Sequence, residues 1–389
     1  MLKKLSVIGI FLVMTVFCGI VCFGDIIVTG EKGEQKELDF PETNSGGVIV
    51  VDMATRYTIY EKNIYTSYYP ASTTKIMTAT LVLENAGIDE VVTFSHDAVF
   101  SIEPGSSAAF VDEGEKLTVE QCMYGLMVIS ANDLANGLAE HVSGTVDEFS
   151  LLMNEKAKEL GCINTHFTNP HGLHDEEHYT CVYDLAIMAL NAYKNYDFYR
   201  ELISTELYEV PPTNKQNETR YWRNTNKLFN STEKFYYPDC IGGKPGFTNE
   251  AGATLVSYAN INGRYIMVVT LGAKNATGVY TDHTNIYNYI KENIDNEYFE
   301  ELERLYSENR ELLEEPDTVP GEDSVDAVSN QIGENAEKEE KTSVGKVILT
   351  VALIITLILV VLYSVLRIRL EIKRRKRRKN IRKKRRRRN

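Results

Sequence analysis

The sequence predicts an α+β domain, an antiparallel sheet closed by joining the two ends of the domain with a helical subdomain inserted between them, followed by one C-terminal transmembrane helix. Three observations predict this architecture. Runs of β-branched and aromatic residues stand at both ends of the stretch from about Gly46 to Asn293, apolar spacing near 3.6 fills its middle, and Val347 to Leu366 is an uncharged run of 20 residues.

In chain order, Met1-Leu2-Lys3-Lys4 precedes an apolar run from Leu5 to Phe23 and then Gly24-Asp25, the charged, apolar and small-residue order of a secretory signal over 1–24, with an uncleaved anchor as the alternative. Residues 25–45 form a leader. Gly47 to Asp52 and Tyr57 to Glu61 read as a hairpin. Helices are expected at Val119 to Ile129, Asp133 to Val142, Val146 to Leu160 and Val182 to Tyr193. Ala253 to Asn260 and Arg264 to Leu271, joined by Asn262-Gly263, read as the closing hairpin. A helix from about Tyr280 to Ile294 can cover the sheet and ends the domain, taken as 46–294. Asp295 to Arg310 continues as a charged helix with little to bury.

From Glu311 to Lys341 the chain holds 11 acidic residues and two lysines, the composition of a self-repelling stalk; charged helix and stalk together occupy 295–343. Val347 to Leu366 at about 1.5 Å per residue spans a bilayer core of roughly 30 Å. The tail 367–389 carries 16 Lys or Arg against Glu371, so it is expected in the cytoplasm, with the domain outside a single-pass membrane anchor. The formal net charge of −13 therefore conceals a strongly acidic exterior, which argues against nucleic acid as a partner and suits a cationic or neutral one. Cys122, Cys162, Cys181 and Cys240 show no Cys-x-x-Cys spacing, which speaks against a zinc or redox site; whether any pair is bridged is left open.

Three short motifs carry the chemistry. Ser72 and Lys75 stand three residues apart at the start of the small and apolar run Ile76 to Val82, so on a helix the amine shares a face with the hydroxyl. The plainer reading of Ser72 is a helix cap. Matches at Ser231–Lys234 and Ser343–Lys346 lack a core helix behind them. Ser130-Ala131-Asn132 lies between two helices, where a hydroxyl and an amide project together from a turn, although Ser130 could equally cap the next helix. Lys244-Pro245-Gly246 follows Ile241-Gly242-Gly243, a glycine-rich strand that lets a chain approach closely, with a lysine to attract an anion; the alternative is a plain turn.

Together these motifs resemble the serine penicillin-binding proteins and β-lactamases with their Ser-x-x-Lys, Ser-x-Asn and Lys-Thr-Gly set. Pro70 to Ala79, Gly105-Ser106-Ser107, Gly114 to Glu120, Asn169-Pro170-His171-Gly172-Leu173 and Gly246 to Gly252 narrow the resemblance to low-molecular-mass D-alanyl-D-alanine carboxypeptidases, over about Asn44 to Tyr289. A class A β-lactamase would also need a Glu-x-x-Leu-Asn-like segment, which Thr165 to Tyr179 lacks.

The resemblance implies a β-lactamase/transpeptidase-like fold and a serine acyl-enzyme. Ser72 is then the nucleophile, Lys75 the general base and Ser130 the proton relay. Asn132, Lys244, Gly246, Phe247 and Thr248 bind substrate, with the backbone N–H groups of Ser72 and Phe247 as oxyanion hole and Lys244 attracting the terminal carboxylate. No metal or cofactor is implied. The implied partners are peptidoglycan stem peptides ending in D-Ala-D-Ala, with β-lactams as inhibitors. Pro245 stands where the family has Thr, so a hydroxyl and an N–H are missing, and Thr248 is the candidate to compensate. This departure keeps open a weakly active or non-catalytic cell-wall binding protein; an endopeptidase or β-lactamase is a third reading.

Overall fold

The computed structural model describes residues 38–313. The stretches read above as signal, stalk, transmembrane run and basic tail lie outside them, and among the described residues no helix is long and apolar enough to cross a membrane.

The sheet is five-stranded and entirely antiparallel. Strand β1 (Gly47–Asp52) pairs with β2 (Thr58–Lys62) on one side and with the last strand, β9 (Arg264–Ala273), on the other; β8 (Gly252–Ile261) and the edge strand β7 (Cys240–Thr248) complete it. The two ends of the domain thus meet in one sheet, Val50 opposite Val268. Every β1 residue is buried because the sheet is covered on both faces. Ile49, Val51, Val256, Tyr258 and Met267 face the inserted helices, and Val48, Val50, Leu255, Ala259 and Ile266 face the C-terminal ones, the period-two alternation of a strand.

The insertion comprises α1 (Lys75–Asn85), short α2 (His96–Phe100), α3 (Val119–Val128), α4 (Asn132–Ser143), α5 (Val146–Glu159), α6 (Val182–Asn195) and α7 (Asp197–Ile203), with small hairpins β3 (Val91–Thr93) with β4 (Lys116–Thr118) and β5 (Leu207–Val210) with β6 (Arg220–Arg223). Helix α1 is buried from Lys75 through Val82 and forms the centre of this layer. A reciprocal cap between Thr118 and Gln121 starts α3. The predicted long helices and sheet strands end within a few residues of those observed. The two small hairpins and α2 and α7 have three to seven residues each, too few to show a period.

Helix α8 (Ala276–Asn293), capped by Asn275, covers the other face of the sheet with Val279, Ile286, Tyr287 and Ile290. Helix α9 (Asn296–Leu313) corrects the expectation of a charged helix with little to bury. Phe299 and Leu302 enter the same apolar cluster, and Arg264 links Asp52 to Glu303 on this helix. The four cysteines are free thiols; Cys122 is buried on α3, whereas Cys181 is buried at the position preceding α6 rather than on a helix face.

Candidate active site

Ser72 lies in a tight 3-10 turn, Ala71–Thr74, that leads directly into α1, so Lys75 at the first position of the helix is brought back over it. The Lys75 side chain is fully buried, with Nζ 3.1 Å from Ser72 Oγ, 2.7 Å from Asn132 Oδ1 and 2.6 Å from the His171 carbonyl. Burial holds its pKa well below that of an ordinary lysine; the Lys244 ammonium pushes the same way, with Asp133 opposing. A neutral amine has two hydrogens and one lone pair. Asn132 Oδ1 and the His171 carbonyl can only accept, so they take the two hydrogens and the lone pair is left to accept the Ser72 hydroxyl proton.

The neighbouring hydroxyls are committed elsewhere. Thr73 donates to the Pro70 carbonyl (2.7 Å) and Thr74 pairs with His178 Nε2 (2.8 Å), whereas half-buried Ser72 opens onto a cavity of about 540 Å³. Access to this cavity distinguishes Ser72 from a serine that only caps a helix, the alternative the sequence left open.

Ser130 occupies the turn between α3 and α4 with φ of +62°, a left-handed conformation that non-glycine residues rarely adopt and that costs on the order of 1 kcal/mol or more. The surroundings hold it there. Ala131 N–H donates to the Gly125 carbonyl and Asn132 N–H to the Ser107 carbonyl, while the Asp133 carboxylate accepts from Ala109 and Val111 N–H, binding the Gly105–Val111 loop to this turn. Ser130 and Asn132 both line the cavity.

Lys244 is also fully buried; its Nζ donates to Ser130 Oγ at 2.8 Å and to the Pro245 carbonyl at 3.2 Å, and burial brings its pKa to about 7. It does not itself line the cavity, and its nearest contact there is the Ser130 hydroxyl, which does. Pro245 falls on the free edge of the sheet. Peptide groups alternate along a strand, and a proline without an N–H is tolerated where that group would face the open edge; the Phe247 N–H, two residues on, then belongs to the same edge.

Gly246 is the contact between β7 and the Ser72 turn. A Cβ there would lie 2.7 Å from the Ser72 amide nitrogen and 2.5 Å from Thr254 Oγ1, so the bare backbone first serves approach to the protein's own Ser72 turn. Gly172 does the same from the other side, with φ of +86° and an added Cβ 1.8 Å from the Ala71 carbonyl oxygen. Thr248 lines the cavity, but its Oγ accepts the Ala251 N–H at 3.0 Å, which ties it to the following turn and away from Lys244.

All eight sequence-derived site residues therefore converge, with Lys244 one hydroxyl removed from the cavity. The sequence reading missed four contributors: the His171 carbonyl, Asp133, Thr225 and Lys227. A backbone carbonyl carries no residue-type signal, and Asp133 belongs to none of the three motifs. Lys227 sits in an unpatterned polar stretch. It lines the cavity with its side chain 43% exposed, and its Nζ is 3.8 Å from Glu233. Thr225, beside it, bonds through N–H to the Val128 carbonyl (3.0 Å), which places this segment on the Ser130 side.

Comparison with known proteins agrees with this geometry. Residues 34–275 match the family model described as D-alanyl-D-alanine carboxypeptidase. The chain is 36% identical over 232 residues to D-alanyl-D-alanine carboxypeptidase DacF of Bacillus subtilis, covering 58% of this chain and 56% of that one. It is 33% identical over 263 residues to the D-alanyl-D-alanine carboxypeptidase of Streptomyces sp. strain K15, covering 64% of this chain and 88% of that one. The crystal structure of the Streptomyces K15 DD-transpeptidase superposes with a TM-score of 0.60 at 32% identity, over 65% of this chain and 98% of that one. The chain thus spans little more than half of the Bacillus relative and most of the Streptomyces one. On the family match, the shared fold and the convergence of Ser72, Lys75, Ser130, Asn132 and Lys244, this chain belongs to the D-alanyl-D-alanine carboxypeptidase family.

Proposed function

We propose that the protein removes the terminal D-alanine from peptidoglycan stem peptides through an acyl-enzyme on Ser72. The observation that carries this reading is the fully buried Lys75 Nζ, 3.1 Å from Ser72 Oγ, the one hydroxyl of its turn that opens onto the cavity; burial lowers its pKa and so favours the neutral amine that can take the hydroxyl proton. Ser72 Oγ attacks the carbonyl carbon of the D-Ala-D-Ala bond as its proton passes to Lys75 Nζ. The N–H groups of Ser72 and Phe247 hold the oxyanion, at roughly 3 to 4 kcal/mol per donor. The C–N bond then breaks, Ser130 delivers a proton to the departing amine, and Lys75 returns one to Ser130. Water attacks the ester by the reverse path and frees Ser72. Asn132 Oδ1 is engaged by Lys75, so Nδ2 is the atom left to donate to the peptide.

With Lys244 committed to Ser130 and Pro245 lacking a hydroxyl, Lys227 is the cation lining the cavity that meets the free carboxylate, with Thr225 beside it. The domain works outside the cytoplasmic membrane, tethered by the helix 347–366 and its basic tail; the uncharged length of that run and the sign of the tail support this placement.

The test is fluorescent-penicillin labelling of the full-length protein beside a Ser72→Ala control, followed by D-alanine release from diacetyl-Lys-D-Ala-D-Ala. Labelling that requires Ser72 together with release establishes the activity. Labelling without release favours the weakly active reading that Pro245 motivates, and absence of labelling overturns the acyl-enzyme.

A further inference from the structure

Helix α8 brings a polar side-chain atom to the active-site cavity that the reaction described above does not use. Ala276, Val279 and Tyr280, at i, i+3 and i+4 from the start of the helix, share the face that lines the cavity. Two of the three are apolar, so the Tyr280 hydroxyl is what α8 offers a polar ligand there.

The side chain is fixed in place. Only 3% of Tyr280 is exposed, its ring stacks on Phe235 with centroids 5.4 Å apart, and its oxygen accepts the Lys227 N–H at 3.3 Å. A phenol oxygen that accepts in this way still has its own hydrogen to donate, and no acceptor among the described residues takes it. Buried hydroxyls ordinarily find one. Burial raises the phenol pKa to about 12, so the hydrogen stays on the oxygen at neutral pH.

The neighbouring residues decide what that hydrogen meets. The segment from Thr225 to Lys227 lies on the Ser130 side of the cavity, through the Thr225 N–H bond to the Val128 carbonyl. Ser130 gives its proton to the departing amine, and the free carboxylate is carried on the same carbon as that amine. Lys227, whose backbone holds the Tyr280 oxygen, also lines the cavity and supplies a positive charge. A hydroxyl with its oxygen already engaged by a backbone N–H selects an acceptor, and it favours an anion over a neutral carbonyl because charge-assisted hydrogen bonds are about twice as strong.

We infer that Tyr280 is a specificity-determining residue that donates its hydroxyl hydrogen to the carboxylate of the departing D-alanine, alongside Lys227. The inference rests on the acyl-enzyme reading, and its test is built to fail separately. In the full-length protein, diacetyl-Lys-D-Ala-D-Ala and its C-terminal amide compete with fluorescent penicillin for Ser72, and the concentration that halves the labelling rate is read for each. The wild type should prefer the acid. Tyr280→Phe, which keeps the ring and its stacking on Phe235, should raise the half-protecting concentration of the acid about tenfold and that of the amide less than about twofold. An unchanged value for the acid, an equal rise for both peptides, or a wild type that does not distinguish them overturns the role of Tyr280 while leaving the acyl-enzyme intact. Absence of Ser72 labelling in the wild type overturns the acyl-enzyme itself, and the role of Tyr280 with it.

Discussion

Two polar clusters flank this sheet with a titratable base beside a serine, and only one of them opens onto a cavity. On the helical side, Ser72 lines a cavity with the buried Lys75 amine beside it. Behind the sheet, Ser257 on β8 pairs with His283 Nδ1 on α8 at 2.6 Å, His283 Nε2 pairs with Thr270 at 2.8 Å, and Tyr287 reaches Ser257 at 2.7 Å. Its hydrogens can be arranged completely. Thr270 points its hydroxyl to the Leu255 carbonyl, His283 Nε2–H donates to Thr270, Ser257 donates to Nδ1, and Tyr287 donates to Ser257. All four side chains are buried and none lines the cavity described above. The base in each cluster is depressed by burial, so a perturbed pKa does not separate them. What separates them is access together with strain: the Ser72 cluster opens to a substrate-sized space and includes Ser130 at a positive φ, whereas the Ser257 cluster is closed.

The largest expected effect breaks the comparison directly. Lys75→Met should slow acylation of Ser72 by about 10⁴-fold, since a nucleophile without its base retains only the oxyanion hole and binding. Ser257→Ala should leave the acylation rate unchanged and lower stability by about 1 to 3 kcal/mol, because His283 and Tyr287 lose a buried partner. Stopped-flow labelling and chemical denaturation of the two variants check both halves. An acylation defect in Ser257→Ala would mean the rear cluster reaches the site.

The next effect concerns recognition. Lys227→Ala should raise KM for a D-Ala-D-Ala peptide by about ten- to a hundredfold, the loss of a hydrogen bond to a charged group, with little change for the C-terminally amidated peptide. A Lys244→Arg variant separates the two lysines, since its defect should fall on kcat through Ser130. Equal losses on acid and amide peptides after Lys227→Ala would return the carboxylate to Lys244.

Burial also makes the rear cluster sensitive to acid. His283 is pushed down to about 3, far below the 6.5 of an exposed histidine in the unfolded chain. Between those values the unfolded state binds the extra proton, so the stabilisation from keeping His283 neutral is complete above about pH 6.5 and is lost as pH falls toward 3. At pH 5 the loss is on the order of 2 kcal/mol. His283→Gln should flatten that part of the pH–stability curve; an unchanged slope would show that His178, also depressed by burial to about 3, carries it.

The same contrast explains what the sequence made legible. The sheet and long helices follow from residue patterns that repeat over enough positions to be read, and Ser72, Lys75, Ser130, Asn132 and Lys244 from spacing within short motifs. The position of Lys244 does not follow, because whether a lysine meets an anion directly or through Ser130 depends on the separation of β7 and the α3–α4 turn, a tertiary distance. The His171 carbonyl and Lys227 were invisible for the same reason, and the rear Ser257–His283 pair joins residues 26 apart with no motif at all. Helix α9 was misread because a few apolar residues among many charges still bury Phe299 and Leu302 once the sheet face is there to receive them.

The smallest expected effect, and the sharpest for the catalytic side, is at Pro245. In this chain the ring sits on the free edge, where its nitrogen displaces no ladder hydrogen bond, so the substitution costs the sheet little. What it removes is a hydroxyl from the lining of a cavity that Lys227 and Thr225 also line. Pro245→Thr should therefore speed D-alanine release only severalfold, less than the hundredfold that an isolated lost bond to a charge would imply, and acylation by penicillin should keep its dependence on Lys75. A gain of a hundredfold or more would mean that Lys227 does not reach the carboxylate and that the proline is the lesion. No gain at all would place the whole of carboxylate recognition on Lys227 and the residues beside it. Measured in the Lys227→Ala background, the two contributions separate: if both groups touch the same carboxylate, the effect of adding the hydroxyl grows when the ammonium is gone, because neighbouring groups on one anion are not additive.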